Sequence, residues 1–237
     1  MRAINHLQNK NRERWLNKKR SINLLISKSS WLYKSRDILK KKLKRKGNTV
    51  KLIFNHEKLA KADLSFILSY YKIIPNVYLK KSKMNLVIHE SNLPKGRGFA
   101  PLSWQILKGY KKIIFSLFNI DNLSHKPDTG NIILKSKVIF KGNELIDEIR
   151  NIALKTYCKM IDSFFRCPIN FRGYRQKGQS SSFKKRRPKD SILKINKTIN
   201  ENFNLLRVVD NTNYPAYFKK GNKEFIIKIF PKLNEKN

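Results

Sequence analysis

Short apolar runs alternate with helical stretches along the first part of the chain. Four runs bounded by polar residues predict buried strands: residues 22–26, 50–54, 64–68 and 85–89. Residues 31–46 carry apolar side chains at helical spacing, and Gly47 ends that pattern. Strands separated by loops and helices in this way are typical of an α/β protein with a mostly parallel sheet.

The alternation continues beyond Pro101. A short helix is predicted at residues 103–109, and strands are predicted at 112–118 and 132–140. Residues 143–165 form the longest periodic apolar pattern, which predicts a helix with one buried stripe. We therefore expect an α/β, Rossmann-like fold, with helices on both faces of a mostly parallel sheet.

Composition divides the chain into four regions. They are a basic flexible extension (1–20), the main α/β domain (21–167), a polar loop or linker (168–190) and a small C-terminal appendage (191–237). In the appendage, residues 199–209 predict a helix. Two β-prone runs, 216–219 and 224–230, predict a hairpin around Gly221.

The chain is strongly basic, because 53 Lys and Arg against 16 Asp and Glu give a net charge of +37. A field of that size attracts nucleic acid, anionic membranes and phosphorylated small molecules. Residues 1–46 alone hold 16 basic and 2 acidic side chains. The abundance of Lys, Asn and Ile is equally what a genome rich in A and T codons produces, so the charge by itself assigns no task.

No apolar run reaches the ~18 residues that a membrane helix needs, and the start of the chain lacks the apolar core of a secretory signal. Cys158 and Cys167 lie in or beside an apolar helical run and show no metal-ligand spacing. We therefore expect a cytoplasmic protein with reduced thiols and no bound metal.

Candidate chemistry is concentrated in residues 85–109, NLVIHESNLPKGRGFAPLSWQILKG. The predicted strand delivers His89 to the carboxyl edge of the sheet, where ligands bind in open α/β folds. The following loop offers Lys95 and Arg97 to an anion, and Gly96 permits close approach of the backbone to a substrate. On position alone, a structural histidine and an ordinary surface turn are the commoner explanations.

This segment resembles the N10-formyltetrahydrofolate-dependent formyltransferases. HESNLPKGRGFAPLSWQILKG is similar to their HPSLLPxxRGxxPxxWAIxxG signature. Residues 127–132, PDTGNI, resemble the family's aspartate-bearing loop, and residues 142–149 resemble the start of its next helix. Three motifs in the right order and separation are more specific than any one of them. The resemblance covers residues 60–165 and continues weakly through 187–191.

The resemblance implies that His89 and Asp128 are catalytic. When an acceptor amine attacks a formyl carbon, an imidazole can hold the oxyanion or move a proton, and a carboxylate can orient the imidazole or accept the ammonium proton. The implied co-substrate is N10-formyltetrahydrofolate. The resemblance assigns it to two loops, one with Ser69, Tyr70 and Tyr71 and one with Asn122 and Leu123. An ordinary aromatic core edge is the alternative explanation of the two tyrosines.

One departure from the family pattern concerns the oxyanion. The family places an asparagine two residues before the histidine, and this chain has Val87 there. Asn85 lies on the same strand face but about 7 Å further back. We expect Asn85, Asn92 or a backbone N–H to act as the substitute donor, and a weakly active or inactive relative is the alternative.

The expected acceptor is the amine of a nucleotide-linked amino sugar, such as a 4-amino-4,6-dideoxyhexose used in polysaccharide biosynthesis. The segment after Phe165 is short and resembles the tail of nucleotide-sugar N-formyltransferases, with a hairpin led by Tyr214. We expect the substrate and its diphosphate to be bound by a set of basic, glycine and tyrosine residues: Lys95, Gly96, Arg97, Tyr214 and the region of Arg207.

Two other interpretations of the sequence remain open. A methionyl-tRNA formyltransferase would use the basic surface to hold RNA, and a non-catalytic relative would bind RNA without turnover. In each case the terminal hairpin leaves a strand edge and an apolar face open, which favours a homodimer.

Overall fold

The computed structural model describes residues 18–120, 128–166 and 173–232. Its central sheet has six strands: β1 (Ser21–Leu25), β2 (Thr49–Ile53), β3 (Ala62–Ile67), β4 (Ser82–His89), β6 (Lys112–Ile120) and β7 (Gly130–Ile139). A two-residue strand, β5 (Arg97–Gly98), lies outside this sheet. The predicted strands are all found, with ends that differ by a few residues.

The strand order in the sheet is β2-β1-β3-β4-β6-β7. The first four strands are parallel, whereas β6 and β7 are antiparallel to their neighbours. The predicted Rossmann-like, mostly parallel fold is therefore confirmed, with two antiparallel strands added at one side. Because the parallel strands share one carboxyl edge, β4 delivers His89 to the edge where β1, β2 and β3 also end.

Helices cover the sheet unequally. The described α-helices of the main domain are α1 (Arg36–Lys44), α2 (Asn76–Leu79), α3 (Pro101–Leu107) and α4 (Ile146–Arg166). Side chains of α1, α3 and α4 pack with Leu24, Phe66 and Ile88 in the main core. The opposite face holds a smaller cluster, in which Leu79 of α2 packs near Leu25 and Ile67. Alternation along β4 puts Ile88 on the first face and His89 on the second.

Some residues of the predicted extension, cofactor loop and linker lie outside the part of the chain that the structure describes. Residues 1–17, together with Asn122, Leu123 and Cys167, lie outside the described residues. Residues 173–190 of the predicted loop or linker run along the main domain, where the short strand β8 (Ser182–Phe183) pairs with β5. No described helix has the length and hydropathy to cross a membrane.

The C-terminal appendage contains the predicted helix and hairpin. They are α5 (Ile199–Val208), β9 (Ala216–Lys220) and β10 (Lys223–Ile227), and β9 and β10 are antiparallel. A small cluster of its own buries Leu193, Leu206, Val209 and Ala216. Thr198 caps α5 by accepting a hydrogen bond from the Glu201 amide, as expected for a polar residue at a helix start.

A buried ion pair ties α5 to the main domain. Arg207 donates from Nε to the Glu144 carbonyl at 3.0 Å and from Nη2 to the Glu144 carboxylate at 2.9 Å. The two side chains are only 3% and 8% exposed. Arg207 is thus committed to the protein interior, which corrects the expectation that its region binds a diphosphate. Glu144 also accepts from the Lys141 and Gly142 amides, so the predicted helix at 143 begins only at Ile146.

Replacing Arg207 by Met is expected to lower the free energy of unfolding at pH 7 by about 3–5 kcal/mol, because it leaves a buried carboxylate unpaired. Burial raises the pKa of Glu144, but hydrogen bonds from Lys141, Gly142 and its own amide, together with the Arg207 charge, bring it below the ordinary value. The wild-type pair therefore stabilises the fold above the pKa of an unfolded glutamate, and this contribution is lost as pH falls through the lowered folded value.

Urea titrations at pH 7 and pH 4 measure both effects. The difference between Arg207→Met and wild type should shrink at pH 4, since protonation relieves the unpaired carboxylate. Lys197→Met is the matched control, because its partner pair with Glu201 is 42% and 46% exposed and should cost at most about 1 kcal/mol. Equal losses in the two variants would contradict this account.

Candidate active site

The loop after β4 folds back onto His89. A cis peptide joins Leu93 to Pro94, and Gly96 and Gly98 adopt positive φ angles of 76° and 91°. These conformations return the Gly96 carbonyl to within 2.9 Å of His89 Nε2. A carbonyl only accepts hydrogen bonds, so Nε2 carries a proton and Nδ1 is the nitrogen left for chemistry.

Asp128 lies on the Nδ1 side of the imidazole. Its Oδ1 is 3.7 Å from His89 Nδ1, and the side chains of His89 and Asp128 are 8% and 18% exposed. The other carboxylate oxygen, Oδ2, accepts a hydrogen bond of 2.7 Å from the Gly98 amide. The structure therefore brings the two predicted catalytic residues together at the mouth of the loop. A proton on Nδ1 would lie between the imidazole and the carboxylate.

The backbone of Asp128 is unusual for a residue with a side chain, since its φ is 53°. Aspartate tolerates this left-handed conformation better than most residues, but it still requires support from its surroundings. Part of that support is the Gly98 bond, which fixes the carboxylate to the same loop that holds His89. The two segments are thus positioned against each other.

Residues 173–183, here called the strap, cross the site. Tyr174 forms an isolated bridge with Ile132, and β8 pairs with β5. The Ser181 hydroxyl accepts from the Gly96 amide at 3.0 Å. Sequence reasoning missed these site contacts because the strap is polar and has no hydrophobic period. Gly173 at its start and Gly178 in its middle were the available signals.

The Gln176 side chain is the second element of the strap that sequence reasoning missed. Its Oε1 accepts from Arg97 Nη2 at 2.7 Å, and its Nε2 donates to the carbonyls of Asp128 and Gly130 at 2.9 and 3.1 Å. Arg97, which was predicted to bind substrate, is therefore held by a neutral side chain. Its Nε is buried without a hydrogen-bond partner among the described residues.

Two residues of β4 bear on the oxyanion question. Val87 packs with Ile120 in the two apolar clusters beneath the site, so no polar group projects from that position. Asn85 is buried, and its Nδ2 donates to the Leu79 carbonyl at 3.0 Å. Four residues of strand separate Asn85 from His89, a rise of about 13 Å. The structure does not bring Asn85 to the His89 and Asp128 pair.

Asn92 is exposed, and its Oδ1 accepts a hydrogen bond of 2.6 Å from Lys135 Nζ. Lys135 also donates to the Leu93 carbonyl at 3.0 Å. These bonds hold Asn92 at the outer side of the loop, toward β7. Its amide nitrogen is the part of the side chain still available as a donor.

Glu90 follows His89 and turns toward the opposite face of the sheet. Its carboxyl accepts a hydrogen bond of 2.6 Å from the hydroxyl of Tyr157, a fully buried residue of α4. Burial raises the pKa of Glu90, although the Tyr157 bond and the charge of His89 lower it. Burial likewise raises the pKa of Tyr157, and Glu90 adds to that effect. The apolar pattern of residues 143–165 predicts a buried stripe but gives no sign of this hydrogen bond from Tyr157.

The loop after β3 holds the three predicted cofactor residues that the structure describes. Ser69 has a φ of 49°, and its hydroxyl donates to Tyr71 at 3.2 Å. The Tyr70 hydroxyl lies 2.8 Å from His56 Nδ1, so this hydroxyl is already paired with a side chain of the loop after β2. Burial raises the pKa of Tyr71, and Glu90 and Tyr214 also raise it. Tyr214 is thus close enough to Tyr71 to affect its ionisation. Lys95 is exposed on the loop after β4.

A groove of about 560 Å³ opens at the carboxyl ends of β1 and β2, and we call it the lysine groove. Its polar and aromatic lining includes Ser27, Ser29, Asn55, Phe54 and Tyr70, and its cations are Lys28, Lys51, Lys58 and Lys72. All four lysines are exposed, and no ion pair joins them to a carboxylate in the described part of the chain. The groove is thus a local concentration of positive charge beside the candidate active site.

The described residues contain no group of three or more His, Cys, Asp or Glu side chains that could hold a metal ion. An apolar cluster packs around Val87 of β4, and its members Leu93, Phe118 and Ile132 are fully buried. Its half-buried members, Val87 and Ile120, are the part of this cluster that a ligand could contact.

A family model described as formyl transferase matches residues 10–159. Because the match covers more than half of the chain and includes both His89 and Asp128, the chain belongs to the formyl transferase family.

Two curated relatives show how much of a longer protein the match covers. The bifunctional polymyxin resistance protein ArnA of Wigglesworthia glossinidia brevipalpis is 29% identical over 196 residues, which are 76% of this chain and 28% of that protein. The methionyl-tRNA formyltransferase of Rickettsia prowazekii is 33% identical over 108 residues, or 45% of this chain and 33% of that protein. The chain thus spans about a third or less of each relative.

Solved structures of differently named proteins share the fold. A methionyl-tRNA formyltransferase from Clostridium thermocellum has a TM-score of 0.73 at 23% identity, over 91% of this chain and 95% of that one. HypX from Aquifex aeolicus in complex with tetrahydrofolic acid gives 0.71 at 18% identity, over 92% and 40%. A sugar N-formyltransferase from Shewanella gives 0.63 at 12% identity, over 91% and 99%. At these identities the likeness shows the fold alone.

Replacing Gly98 by Ala is expected to disrupt the site, because an added Cβ would lie 2.4 Å from the Phe183 carbonyl oxygen. The β5 and β8 pairing and the bond to Asp128 would both have to shift, and we expect a loss of about 3 kcal/mol or more in unfolding free energy. Gly178→Ala is the matched control, since Gly178 has a similar φ of +95° with nothing within 4 Å. It should cost only the backbone penalty of about 1–2 kcal/mol. Chemical denaturation measures both, and equal losses would disprove the close approach.

Proposed function

We propose that the protein transfers a formyl group from N10-formyltetrahydrofolate to the amine of a nucleotide-linked amino sugar. The observation that supports this most directly is the pairing of His89 and Asp128 at the carboxyl edge of the sheet, at 3.7 Å. The half-buried side chains of Val87 and Ile120 offer an apolar contact to the pterin, and a solved structure of similar fold, HypX, is a complex with tetrahydrofolic acid. The co-substrate supplies the formyl carbon that the acceptor nitrogen attacks.

In this mechanism Asp128 takes a proton from the acceptor ammonium, which creates the free amine that can attack the formyl carbon. His89 then holds the negative oxygen of the tetrahedral adduct through a proton on Nδ1, since Nε2 is bonded to the Gly96 carbonyl. Bond formation from nitrogen to carbon is matched by departure of the folate N10, which takes up the second proton that the acceptor nitrogen loses, while the first stays on Asp128 until solvent removes it. Before it accepts that proton, the Asp128 carboxylate stabilises the charged imidazole.

Val87 leaves this adduct with fewer hydrogen-bond donors than the family asparagine would provide. Loss of one such donor costs on the order of 3 kcal/mol of transition-state stabilisation. The exposed Asn92 amide and loop amides are the remaining candidates, and Asn85 stays a prediction whose amide is already bonded to Leu79. Slow turnover is therefore part of the proposal.

The lysine groove supports an acceptor that carries phosphate. With strands about 4.8 Å apart, β1 lies about 10 Å and β2 about 14 Å from β4. An acceptor with its amine at His89 and its phosphates on Lys28, Lys51 or Lys58 therefore spans a distance that a nucleotide-linked sugar can cover. Arg97, Lys95 and Tyr214 remain proposed contacts for the sugar.

A methionyl-tRNA acceptor is the second candidate, and three observations favour it. The Rickettsia relative is a methionyl-tRNA formyltransferase, and the Clostridium structure with that description matches this chain over 95% of its own length. The net charge of +37 would also draw RNA to the surface. A non-catalytic RNA-binding role is the remaining interpretation, and Val87 is the feature that supports it.

We propose that two copies associate through the terminal hairpin. Strand β10 exposes apolar side chains, with Phe225, Ile226 and Ile227 being 43%, 65% and 37% exposed. Its outer edge is not paired with another described strand. A second copy covering this edge would bury the side chains and satisfy the open backbone groups.

Substituting His89→Gln or Asp128→Asn is expected to lower kcat by on the order of 10²- to 10⁴-fold, because each removes a proton-handling group. Asp162→Asn is the control, since that carboxylate pairs with Lys42 on the helix layer of the main core. Val87→Asn should raise kcat by up to about 10²-fold by restoring an oxyanion donor. A coupled assay of tetrahydrofolate release measures these values, and undiminished turnover in folded His89→Gln would rule out the assignment.

Reversing two charges in the lysine groove with Lys51→Glu and Lys58→Glu is expected to raise the KM for a nucleotide-linked 4-amino-4,6-dideoxyhexose about tenfold, or about 1.4 kcal/mol, with kcat little changed. Lys155→Glu on the exposed side of α4 is the control. Turnover of methionyl-tRNA but not of the sugar, with steeply salt-dependent binding, would favour the second candidate. RNA binding without turnover of any acceptor would favour the third.

A further inference from the structure

Gln176 connects the two segments that carry the catalytic pair. Arg97 belongs to the loop that follows His89, and it donates to Gln176 Oε1 at 2.7 Å. Asp128 and Gly130 lie at the start of β7, and their carbonyls accept from Gln176 Nε2 at 2.9 and 3.1 Å. One planar amide therefore uses its acceptor on one segment and both donors on the other.

These bonds complete a closed circuit around the site. On the loop after β4, Gly96 is hydrogen-bonded to His89 and Arg97 is hydrogen-bonded to Gln176. Gln176 also donates a hydrogen bond to the Asp128 carbonyl, and the Asp128 carboxylate accepts one from the Gly98 amide of the same loop. Gln176 itself is half-buried in the strap, so its bonds are partly shielded from water. A neutral amide is well suited to this place, because a carboxylate would repel the two carbonyl oxygens.

The circuit of hydrogen bonds includes Asp128, whose backbone conformation must be maintained by its neighbours. Asp128 has a φ of 53°, a conformation that its surroundings must maintain. Gln176 holds the backbone carbonyl of Asp128, whereas Gly98 holds its carboxylate. With both ends fixed, the carboxylate oxygen stays 3.7 Å from His89 Nδ1, a separation that a proton or an acceptor amine can bridge.

We propose that Gln176 is a positioning residue, which sets the separation and orientation of Asp128 relative to His89 by bonding the Asp128 backbone and Arg97 at once. The proposal rests on the proposed formyl transfer. In this proposal the polar strap contributes to catalysis without contacting the substrate. Losing the bonds would let Asp128 move by a fraction of an ångström to an ångström, and displacements of that size cost on the order of 10²-fold in rate.

The charged groups around His89 determine what a change at Gln176 should do to the imidazole. Asp128 faces Nδ1, Glu90 is the next residue and interacts with the charged imidazole, and Arg97 lies on the overlying loop. When Asp128 moves away, the charged imidazole loses its nearest carboxylate. The titration of the ring should then move to lower pH, which is a change that general loosening of the strap does not require.

The test uses Gln176→Met, which keeps the length of the side chain but none of its hydrogen bonds, and Gln176→Glu, which keeps only the acceptor for Arg97. Gln179→Met is the matched control, because Gln179 lies on the same strap and is exposed. Denaturation midpoints report folding. If Gln176→Met fails to fold, Gln176→Glu carries the test, since its carboxylate still accepts from Arg97, now as an ion pair, and so anchors the strap.

Three readouts separate positioning from a structural role. We expect kcat to fall on the order of 10²-fold in both Gln176 variants, with KM for the folate within about twofold and Gln179→Met unchanged. In Gln176→Met the alkaline limb of the pH profile of kcat/KM should move to lower pH, because the proposed mechanism uses the charged imidazole. The NMR titration of the His89 ring, identified by its loss in His89→Gln, should move in the same direction without any substrate present.

The outcomes distinguish failure of this inference from failure of the proposed function. Formyl transfer by wild type with near-normal kcat and an unmoved His89 titration in folded Gln176 variants would overturn the positioning role. A wild-type protein that transfers formyl to neither acceptor would overturn the proposed function. In that event a shifted His89 titration in Gln176→Met would still support the circuit.

Discussion

The hydrogen bond from the Gly98 amide to the Asp128 carboxylate joins two chain segments that the sheet alone would leave apart. β4 ends at His89, and Asp128 precedes β7, which is separated from β4 by β6. The connection requires a loop that can approach both Asp128 and the strap, and Gly98 meets this demand because a Cβ there would collide with the Phe183 carbonyl. The catalytic geometry thus depends on close backbone packing on both sides of one glycine.

Most of the fold could be predicted from the sequence because its signals are local. Apolar runs such as 64–68 lie in strands buried on both faces, and the stripe through Tyr157 and Met160 lies on the core face of α4. The strap could not be predicted in this way. Its order comes from bridges such as that between Tyr174 and Ile132, which pair the polar strap with a strand distant in the chain. Long-range backbone pairing of that kind leaves no periodic pattern in composition.

Single residues of the site show the same difference between local sequence signals and long-range contacts. Strand position and family resemblance were sufficient to place His89 and Asp128 in one site, because both are tied to motifs. Arg207 illustrates the opposite case, since a basic residue near the tail suggested phosphate binding, whereas burial with Glu144 commits it to the interior. The contacts of Gln176 and the existence of the lysine groove both depend on which loops lie next to each other in the fold. Neither the partner of a side chain nor the neighbours of a loop can be read from spacing alone.

The lysine groove also bears on what the large net charge does. At physiological ionic strength a charge acts strongly only within about 8 Å, so most of the basic side chains cannot influence chemistry at His89. Lys28, Lys51, Lys58 and Lys72 differ from the rest because they converge on one concave surface at the sheet edge. Concave surfaces of one sign concentrate counterions more than scattered charges do. A compositional drift toward lysine can therefore raise the charge of the whole surface. Selection of a phosphate-bearing ligand depends instead on where the fold brings a few lysines together.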